Sequence, residues 1–332
     1  MAKKDALKDR LYDKLRRTHK KTLTVEELSD FFDCGVSKIK EALSLLRNEG
    51  KNVSAGQEVE LLNQIPPSEP TIIDVSRFRG KHFKIGLTAD NHLGSKYARM
   101  DVLNALFDIW QAQGVKTVYQ GGNMIDGEAR FNKFDLLVPP GVEAQVDYFA
   151  ENWPQRPGIV TEFVTGDAHE GWYVRDSGLN IGRVLESRAV EMGRSDLKFL
   201  GHMEHDIVLK AKNGQSFMRL IHAGGGSAYA TSYSVQKIVE SYQGGEKPAI
   251  LLVGHYHKAE YGYPREVHVV QAGCTEDQTP FMRKLKLQAH VGGWTIEFDL
   301  DDDGIVHGFA PQFHPFYDRS FYIGDRWKYH WK

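Results

Sequence analysis

Five short segments of this 332-residue chain gather carboxylates, amides and imidazoles beside glycines. They are Asp90-Asn91-His92, Gly121-Gly122-Asn123-Met124-Ile125-Asp126-Gly127, Gly166-Asp167-Ala168-His169-Glu170, His222-Ala223-Gly224 and Gly254-His255-Tyr256-His257. Carboxylate oxygen, amide oxygen and imidazole nitrogen are ligands suited to borderline divalent cations such as Mn, Zn and Fe. Glycine beside a ligand lets the backbone turn tightly or approach closely. Taken singly each segment says little, because Asp-x-His arises by chance and a lone His on a strand is more often a hydrogen-bonded core residue. Gly-His-Tyr-His is more specific, since side chains two apart on an extended chain point the same way. Five such segments in one chain, each following an apolar run, point to a dinuclear metal centre.

Those apolar runs are the elements that must position the ligands. Phe83–Thr88, Val115–Gln120, Ile159–Thr165, Phe217–Ala223, Ile250–Val253, Val267–Gln271 and Trp294–Leu300 read as strands, and Met100–Gln113 as a helix. Early β-α-β alternation followed by strand-rich sequence predicts a layered α/β domain. Each candidate ligand then lies where a buried strand emerges into a loop, a rigid mounting for chemistry.

The first 75 residues read differently. Between Met1 and Lys21 nine Lys/Arg stand against Asp5, Asp9 and Asp13, and Leu7, Leu11 and Leu15 recur at helical spacing. Thr24-Val25-Glu26-Glu27 is a capping-box pattern opening a short helix through Leu28, Phe31 and Phe32. The tight turn Asp33-Cys34-Gly35 leads to a third helix from about Val36 to Asn48, with Ile39, Ala42, Leu43 and Leu46 inward. This order predicts a helix-turn-helix with Lys51–Leu62 as a wing, and places Ser37, Lys38, Lys40, Glu41 and Ser44 on the outer face of the third helix. Ser37, Lys38, Lys40 and Ser44 are the expected DNA contacts; the plainer reading is a packing or dimerisation domain with a solvated charged face. Pro66, Pro67 and Pro70 mark a linker, giving expected units of 1–64, linker 65–80, catalytic domain 81–312 and an aromatic, basic tail 313–332.

Composition narrows the classes. A net charge of -2 does not advertise a nucleic-acid binder, although the basic first helix shows that the average hides polarity. No apolar run approaches the roughly 18–20 residues that span a bilayer. With only Cys34 and Cys274, no disulfide framework is expected, and the protein reads as cytoplasmic with no membrane association.

The motif order resembles that of the calcineurin-like metallophosphoesterase superfamily over about residues 83–300. The shared pattern is Asp-x-His, Gly-Asp-x-x-Asp/His, Gly-Asn-His-Asp/Glu, His-x-Gly and Gly-His-x-His. The resemblance implies an α/β fold, a four-layer α/β/β/α sandwich, here preceded by the small helical domain. It implies two divalent ions, Mn2+ first and Zn, Fe or Mg as alternatives. Asp90, His92 and His257 would hold one ion, His222 and His255 the other, and Asn123 falls where the family has a bridging Asp. His169 matches the His that assists the leaving group. The third motif is irregular: without a gap Ala168 takes the ligand position, and with a one-residue insertion Asp167 does.

The implied reaction is phosphoester hydrolysis. The N-terminal domain, expected to be flexibly tied to the catalytic one, turns the expectation toward a DNA phosphodiesterase, an endo- or exonuclease of the compact phage or bacterial type, with DNA as partner. Two alternatives stand beside it. One is a phosphomonoesterase on nucleotides or DNA ends, the N-terminal domain serving to form a homodimer. The other is a DNA-binding protein with a degenerate, inactive phosphoesterase domain, for which Asn123 and Ala168 speak. Of the remaining site neighbours, Asp126 is expected to hydrogen-bond rather than ligate, Glu170 either to orient His169 or, more simply, to be an exposed charge, and Tyr256 to pack in the core.

Overall fold

The computed structural model describes residues 7–17, 23–49, 51, 53–54, 58–59, 65, 67–78, 81–128, 135–138, 141–226, 228 and 230–316. The expected tail beyond residue 316, the basic residues Lys3, Lys4, Lys20 and Lys21, and much of the expected wing lie outside the described residues.

The N-terminal unit runs α1 (Leu7–Arg17), β1 (Leu23–Thr24), α2 (Val25–Phe32), α3 (Val36–Asn48) and β2 (Glu58–Val59). Both bonds of the capping box form: Glu27 N–H donates to Thr24 Oγ1 at 3.0 Å, and Thr24 N–H donates to Glu27 Oε2 at 2.9 Å. The helix stops at Asp33, whose φ of 48° is left-handed. Leu11, Leu28, Ile39, Leu43 and Leu46 bury into a core of their own, and β1 pairs antiparallel with β2. Ser37, Lys38, Lys40, Glu41 and Ser44 are all exposed on α3.

The remaining elements are β3 (Thr71–Asp74), β4 (Lys81–Thr88), α4 (Met100–Ala112), β5 (Thr117–Gly121), α5 (Val142–Asn152), β6 (Val160–Thr165), α6 (Gly171–Ser177) and α7 (Ile181–Glu191). They continue with β7 (Leu197–His202), β8 (Glu204–Lys210), β9 (Gln215–His222), α8 (Tyr233–Ser241), β10 (Ile250–Gly254), β11 (Ala259–Gly262), β12 (His268–Ala272), α9 (Pro280–Leu285), β13 (Gly292–Leu300) and β14 (Val306–Pro315).

Two six-stranded sheets result, ordered β14-β13-β4-β5-β6-β7 and β11-β12-β10-β9-β8-β3. Period-two alternation assigns each strand's two faces to different cores. In β10, Ile250 and Leu252 join Leu87, Val164 and Leu220 between the sheets, while Leu251 and Val253 face α8 through Val235 and Val239. On the far side of the other sheet, Val118 and Phe163 meet Trp110 of α4, Phe149 of α5 and Leu185 of α7. The body is therefore the expected four-layer α/β/β/α sandwich. Strands β4, β5 and β6 run parallel, as do β9, β10 and β12, so each sheet sends several carboxyl ends to one rim.

Two expected boundaries and the expected flexible tether are corrected. Thr71–Asp74, placed in the 65–80 linker, is a strand paired parallel with β8, because the open edge of β8 needs partners for its backbone groups. The sandwich body thus begins near Thr71. It ends later than residue 312 as well, since β14 pairs with β13 as far as Pro315. Nor is the helical unit loosely tied: Lys51 bridges to Leu179 in antiparallel fashion, and the Tyr12 hydroxyl donates to the carbonyl of Ser177. No helix among the described residues is long and apolar enough to cross a membrane. Both cysteines are free, Cys34 half-buried and Cys274 buried.

Candidate metal centre

The five segments converge at the shared rim. Asp90 and His92 follow β4, Asn123 follows β5, Asp167 and His169 follow β6, His222 ends β9, and His255 and His257 follow β10. The turns that deliver them are strained. Asp90, His92, Asn123, His255 and His257 all have left-handed φ, from 48° to 92°, a region non-glycine residues rarely occupy. Surrounding bonds hold this backbone in place. Asp90 N–H donates to Gly122 O and His92 N–H to Asn123 O, each at 2.9 Å, which ties the first loop to the second. The amide of Asn91 donates to Thr88 and Thr275 and accepts from Gln120. Glycine is required where the loops close: a methyl group at Gly166 would collide with Asn123 Oδ1 and His222 Nε2.

The side chains form two adjoining groups, Asp90 with His92 and His257, and Asp167 with His222 and His255. In the first, His92 Nε2 lies 3.3 Å from His257 Nε2, and Asp90 Oδ1 lies 3.6 Å from His257 Nε2. In the second, His222 Nε2 lies 3.2 Å from His255 Nδ1 and 4.0 Å from Asp167 Oδ1. Asn123 stands between them: its Nδ2 donates to Asp90 Oδ1 at 3.0 Å, while its Oδ1 is buried with no hydrogen-bond partner. Asp167 Oδ1 is likewise buried and unpartnered. The structure brings the Asp167 carboxylate, and not position 168, to His222 and His255; Ala168 lines the adjoining cavity.

A divalent cation fits this arrangement. Each of three imidazoles has its other nitrogen engaged: His92 Nδ1 with Asp126 Oδ1 at 3.0 Å, His222 Nδ1 with Gly121 O at 2.8 Å, and His255 Nε2 with Gly225 O at 2.7 Å. Donation from these nitrogens leaves the facing nitrogens as lone pairs, the tautomer a metal requires. Paired lone pairs, together with unpartnered buried oxygens, are unfavourable unless a cation lies among them. Charge tells the same story. Burial raises the Asp90 carboxyl to about 8 and lowers His92 to about 4. It also holds His222 and His257 well below the ordinary imidazole value, so His92, His222 and His257 stay neutral.

His169 is set apart. Its Nδ1 lies 3.0 Å from the carboxylate Oδ1 of Asp126 and 3.0 Å from the carbonyl of the same residue. Burial lowers its basicity, yet the hydrogen bond and charge of Asp126 outweigh burial and raise it to about 9. Asp126 is itself held well below the usual carboxylate range, its bonds to His169 and His92 overriding the opposing effect of burial. One carboxylate thus orients a candidate metal ligand and a candidate proton donor together.

Glu170, expected as an exposed charge, is fully buried. Its carboxylate accepts from the backbone N–H groups of Gly166 at 2.7 Å, Asn123 at 2.9 Å and Ile125 at 3.1 Å, fastening the second loop to the third. Tyr256 packs in the core under α8, as its strand parity implies. Sequence reasoning missed Glu276, which follows β12. It is 4% exposed, accepts from Ser95 Oγ at 3.0 Å, and has Oε2 3.7 Å from His92 Nε2 and 3.9 Å from His257 Nδ1. The available signal was its position just past a buried strand of the same sheet as β9 and β10. Ser37, Lys38, Lys40 and Ser44 are not part of this rim; they remain together on α3.

No family model matches the chain, and no curated protein does. Among solved structures, an archaeal phosphodiesterase is similar at 11% identity, over 70% of this chain and 100% of its own, with a TM-score of 0.33. Vps29 from Entamoeba histolytica, complexed with zinc, is 12% identical over 71% of this chain and 100% of its own, with a TM-score of 0.33. A 5'-nucleotidase-like protein from Staphylococcus aureus, in complex with alpha-ketoglutarate, is 11% identical over 76% of this chain and 57% of its own, with a TM-score of 0.40. At these identities and TM-scores the likeness bears on neither substrate nor reaction.

Proposed function

We propose that the chain is a metal-dependent phosphodiesterase of the calcineurin-like type that hydrolyses DNA. The observation that carries the hydrolytic part is the pair of facing imidazole groups with unpartnered Asn123 and Asp167 oxygens between and beside them. Asp90, His92 and His257 would hold one ion and Asp167, His222 and His255 a second, with Asn123 Oδ1 offered between the groups. When bound, such a pair of cations, Mn2+ in the first instance, polarises a phosphoryl oxygen and lowers the pKa of water.

The chain's own residues supply the rest. Asp126 keeps His169 protonated at neutral pH, and His169 lines the cavity where it can give a proton to a departing oxygen. Asp126 also fixes the His92 ring. Glu170 keeps the Asn123 and Gly166 loops at one spacing. Relative to the family pattern, carboxylate and amide have exchanged places between the second and third motifs, so the number of carboxylates around the two positions is conserved.

DNA as the substrate rests on the helical unit. Lys38 and Lys40 stand exposed with Ser37 and Ser44 on α3, the second helix of a helix-turn-helix arrangement. Neutral Asn123 favours a second reading, a DNA-binding protein whose hydrolytic site is weakened, because an amide bridges two cations less well than a carboxylate. End-labelled single- and double-stranded DNA incubated with Mn2+ separates the two. Cleavage that EDTA and His92→Ala both abolish supports the phosphodiesterase. Binding without cleavage supports the second reading, and label lost without shortening indicates an end phosphatase.

A further inference from the structure

The cavity of about 570 Å³ beside the centre is lined by His92, His169 and His257 together with one further carboxylate, Glu276. The short segment after β12 carries it, and two neighbouring loops hold that segment. Arg99 N–H donates to Thr275 O at 2.8 Å and Asp277 N–H to Tyr97 O at 2.9 Å, while Glu276 bridges to Ala98 in antiparallel fashion. The Asn91 amide donates to Thr275 Oγ1 at 2.9 Å, and Thr275 N–H donates to Asp90 O at 3.3 Å. The backbone of Glu276 is thereby fixed relative to Asp90 and His92, as the mounting of a metal ligand must be.

The side chain is equally constrained. Glu276 is buried, and its Oε1 accepts from Ser95 Oγ at 3.0 Å, so the carboxylate cannot turn away without breaking a buried bond. Its Oε2 lies 3.7 Å from His92 Nε2. Two atoms bound to one ion at about 2.0–2.2 Å stand no further apart than about 4.4 Å. The atoms of the first group are separated by 3.3, 3.6 and 4.0 Å, and the Glu276 oxygen stands off His92 by a comparable distance. The same oxygen lies 3.9 Å from His257 Nδ1, which is buried with no hydrogen-bond partner.

A buried carboxylate facing imidazole lone pairs is unfavourable by itself, because burial penalises the charge and the lone pairs repel it. The first group is also short of negative charge for a dication: Asp90 is its one carboxylate, and the adjoining Asn123 offers only a neutral amide oxygen. A cation beside His92 relieves both conditions.

We propose that Glu276 is a further ligand of the first metal position, its Oε2 joining Asp90, His92 and His257. That position then holds two carboxylates, against the single Asp167 of the second. This role for Glu276 rests on the two-metal reading of the centre and deepens it.

Glu276→Gln tests it, keeping the size of the side chain and the oxygen that Ser95 needs while removing the charge. The substitution is made in the full chain and again in His222→Ala, where the first position is read alone. Calorimetric titration with Mn2+ is expected to show the first position weakened by at least about tenfold. Saturating Co2+ in the His222→Ala background reports the donors: its visible spectrum shifts in position and intensity when a carboxylate leaves, and stays unchanged when a residue only orients other ligands. In urea, metal-free Glu276→Gln is expected to be as stable as wild type or more so, since a charge that only the ion compensates has gone. A loss of Mn2+ affinity below tenfold overturns the proposal. So does an unchanged Co2+ spectrum, which makes Glu276 a positioning residue, or a lower stability of the metal-free variant, which makes it a structural one. Absence of any Mn2+ binding by wild type counts against the two-metal reading itself, whereas two ions in wild type with an unaffected first position in Glu276→Gln counts against Glu276 alone.

Discussion

Glu170 offers a quantitative test of how the centre is held. Its Oε1 accepts from Asn123 N–H and Gly166 N–H, its Oε2 accepts from Ile125 N–H, and none of the side chain is exposed. Glu170→Ala leaves three buried donors without partners. At about 1–3 kcal/mol for each orphaned group, the loss is about 3–9 kcal/mol, against a total stability of about 5–15 kcal/mol for a typical domain. Glu170→Gln is a milder perturbation of the same shape. Its amide oxygen can keep the doubly bonded position, while its NH2 faces Ile125 N–H and forfeits one bond, about 1–3 kcal/mol. Part of that is offset, because burial raises the Glu170 carboxyl to about 7 and glutamine carries no charge to desolvate. Urea unfolding of the metal-free protein reads both variants. The expected order is wild type, then Glu170→Gln, then Glu170→Ala far below. If Glu170→Ala unfolds within about 0.5 kcal/mol of wild type, inside the range of ordinary surface substitutions, the brace between the two loops is not as described.

Three further outcomes are expected. Asp167→Ala should weaken the second Mn2+ equivalent in calorimetric titration by at least tenfold, and Ala168→Asp should give no compensating gain; a gain from the latter would return the third-motif ligand to position 168. Asp126→Asn, which unfastens both His92 and His169, should lower metal affinity by about 10- to 100-fold and lower kcat for a small diester further than metal saturation restores. Lys38→Gln/Lys40→Gln should reduce the slope of log affinity against log salt for duplex DNA by about 1.8, at about 0.9 for each phosphate contact. An unchanged slope would remove α3 from the DNA interface.

What the sequence made legible follows burial. Strands β4, β5, β6, β9, β10, β12 and β13 lie inside the sheets, and their apolar runs announced them. The strands it did not announce are mainly the edges, and helices α5 to α9 went unannounced as well. Thr71–Asp74 alternates half-buried with exposed and follows a run of prolines, so it reads as linker. β14 contains Gly308 and Pro311, which an edge strand tolerates and an interior one does not. β7 and β8 interleave Lys, Glu, Asp and His with their apolar positions.

At the centre, residue types and strand ends pointed to the side chains that the structure gathers into the two candidate groups, because metal chemistry needs those side chains wherever the loops run. Two features depended on three-dimensional closure. The choice between Asp167 and position 168 turns on the path of one loop. Glu170 and Glu276 owe their roles to backbone and side-chain groups that distant segments bring to them, and a carboxylate looks the same in sequence whether it faces water or three buried N–H groups.

The facing imidazole groups are proposed as two metal positions. Titration of metal-free protein with Mn2+ by calorimetry tests it most directly, with wild type beside His92→Ala and His222→Ala. Two ions per chain are expected for wild type, and a different one is lost in each variant. No binding above that of a chain carrying both substitutions, or a stoichiometry that neither substitution changes, would contradict it.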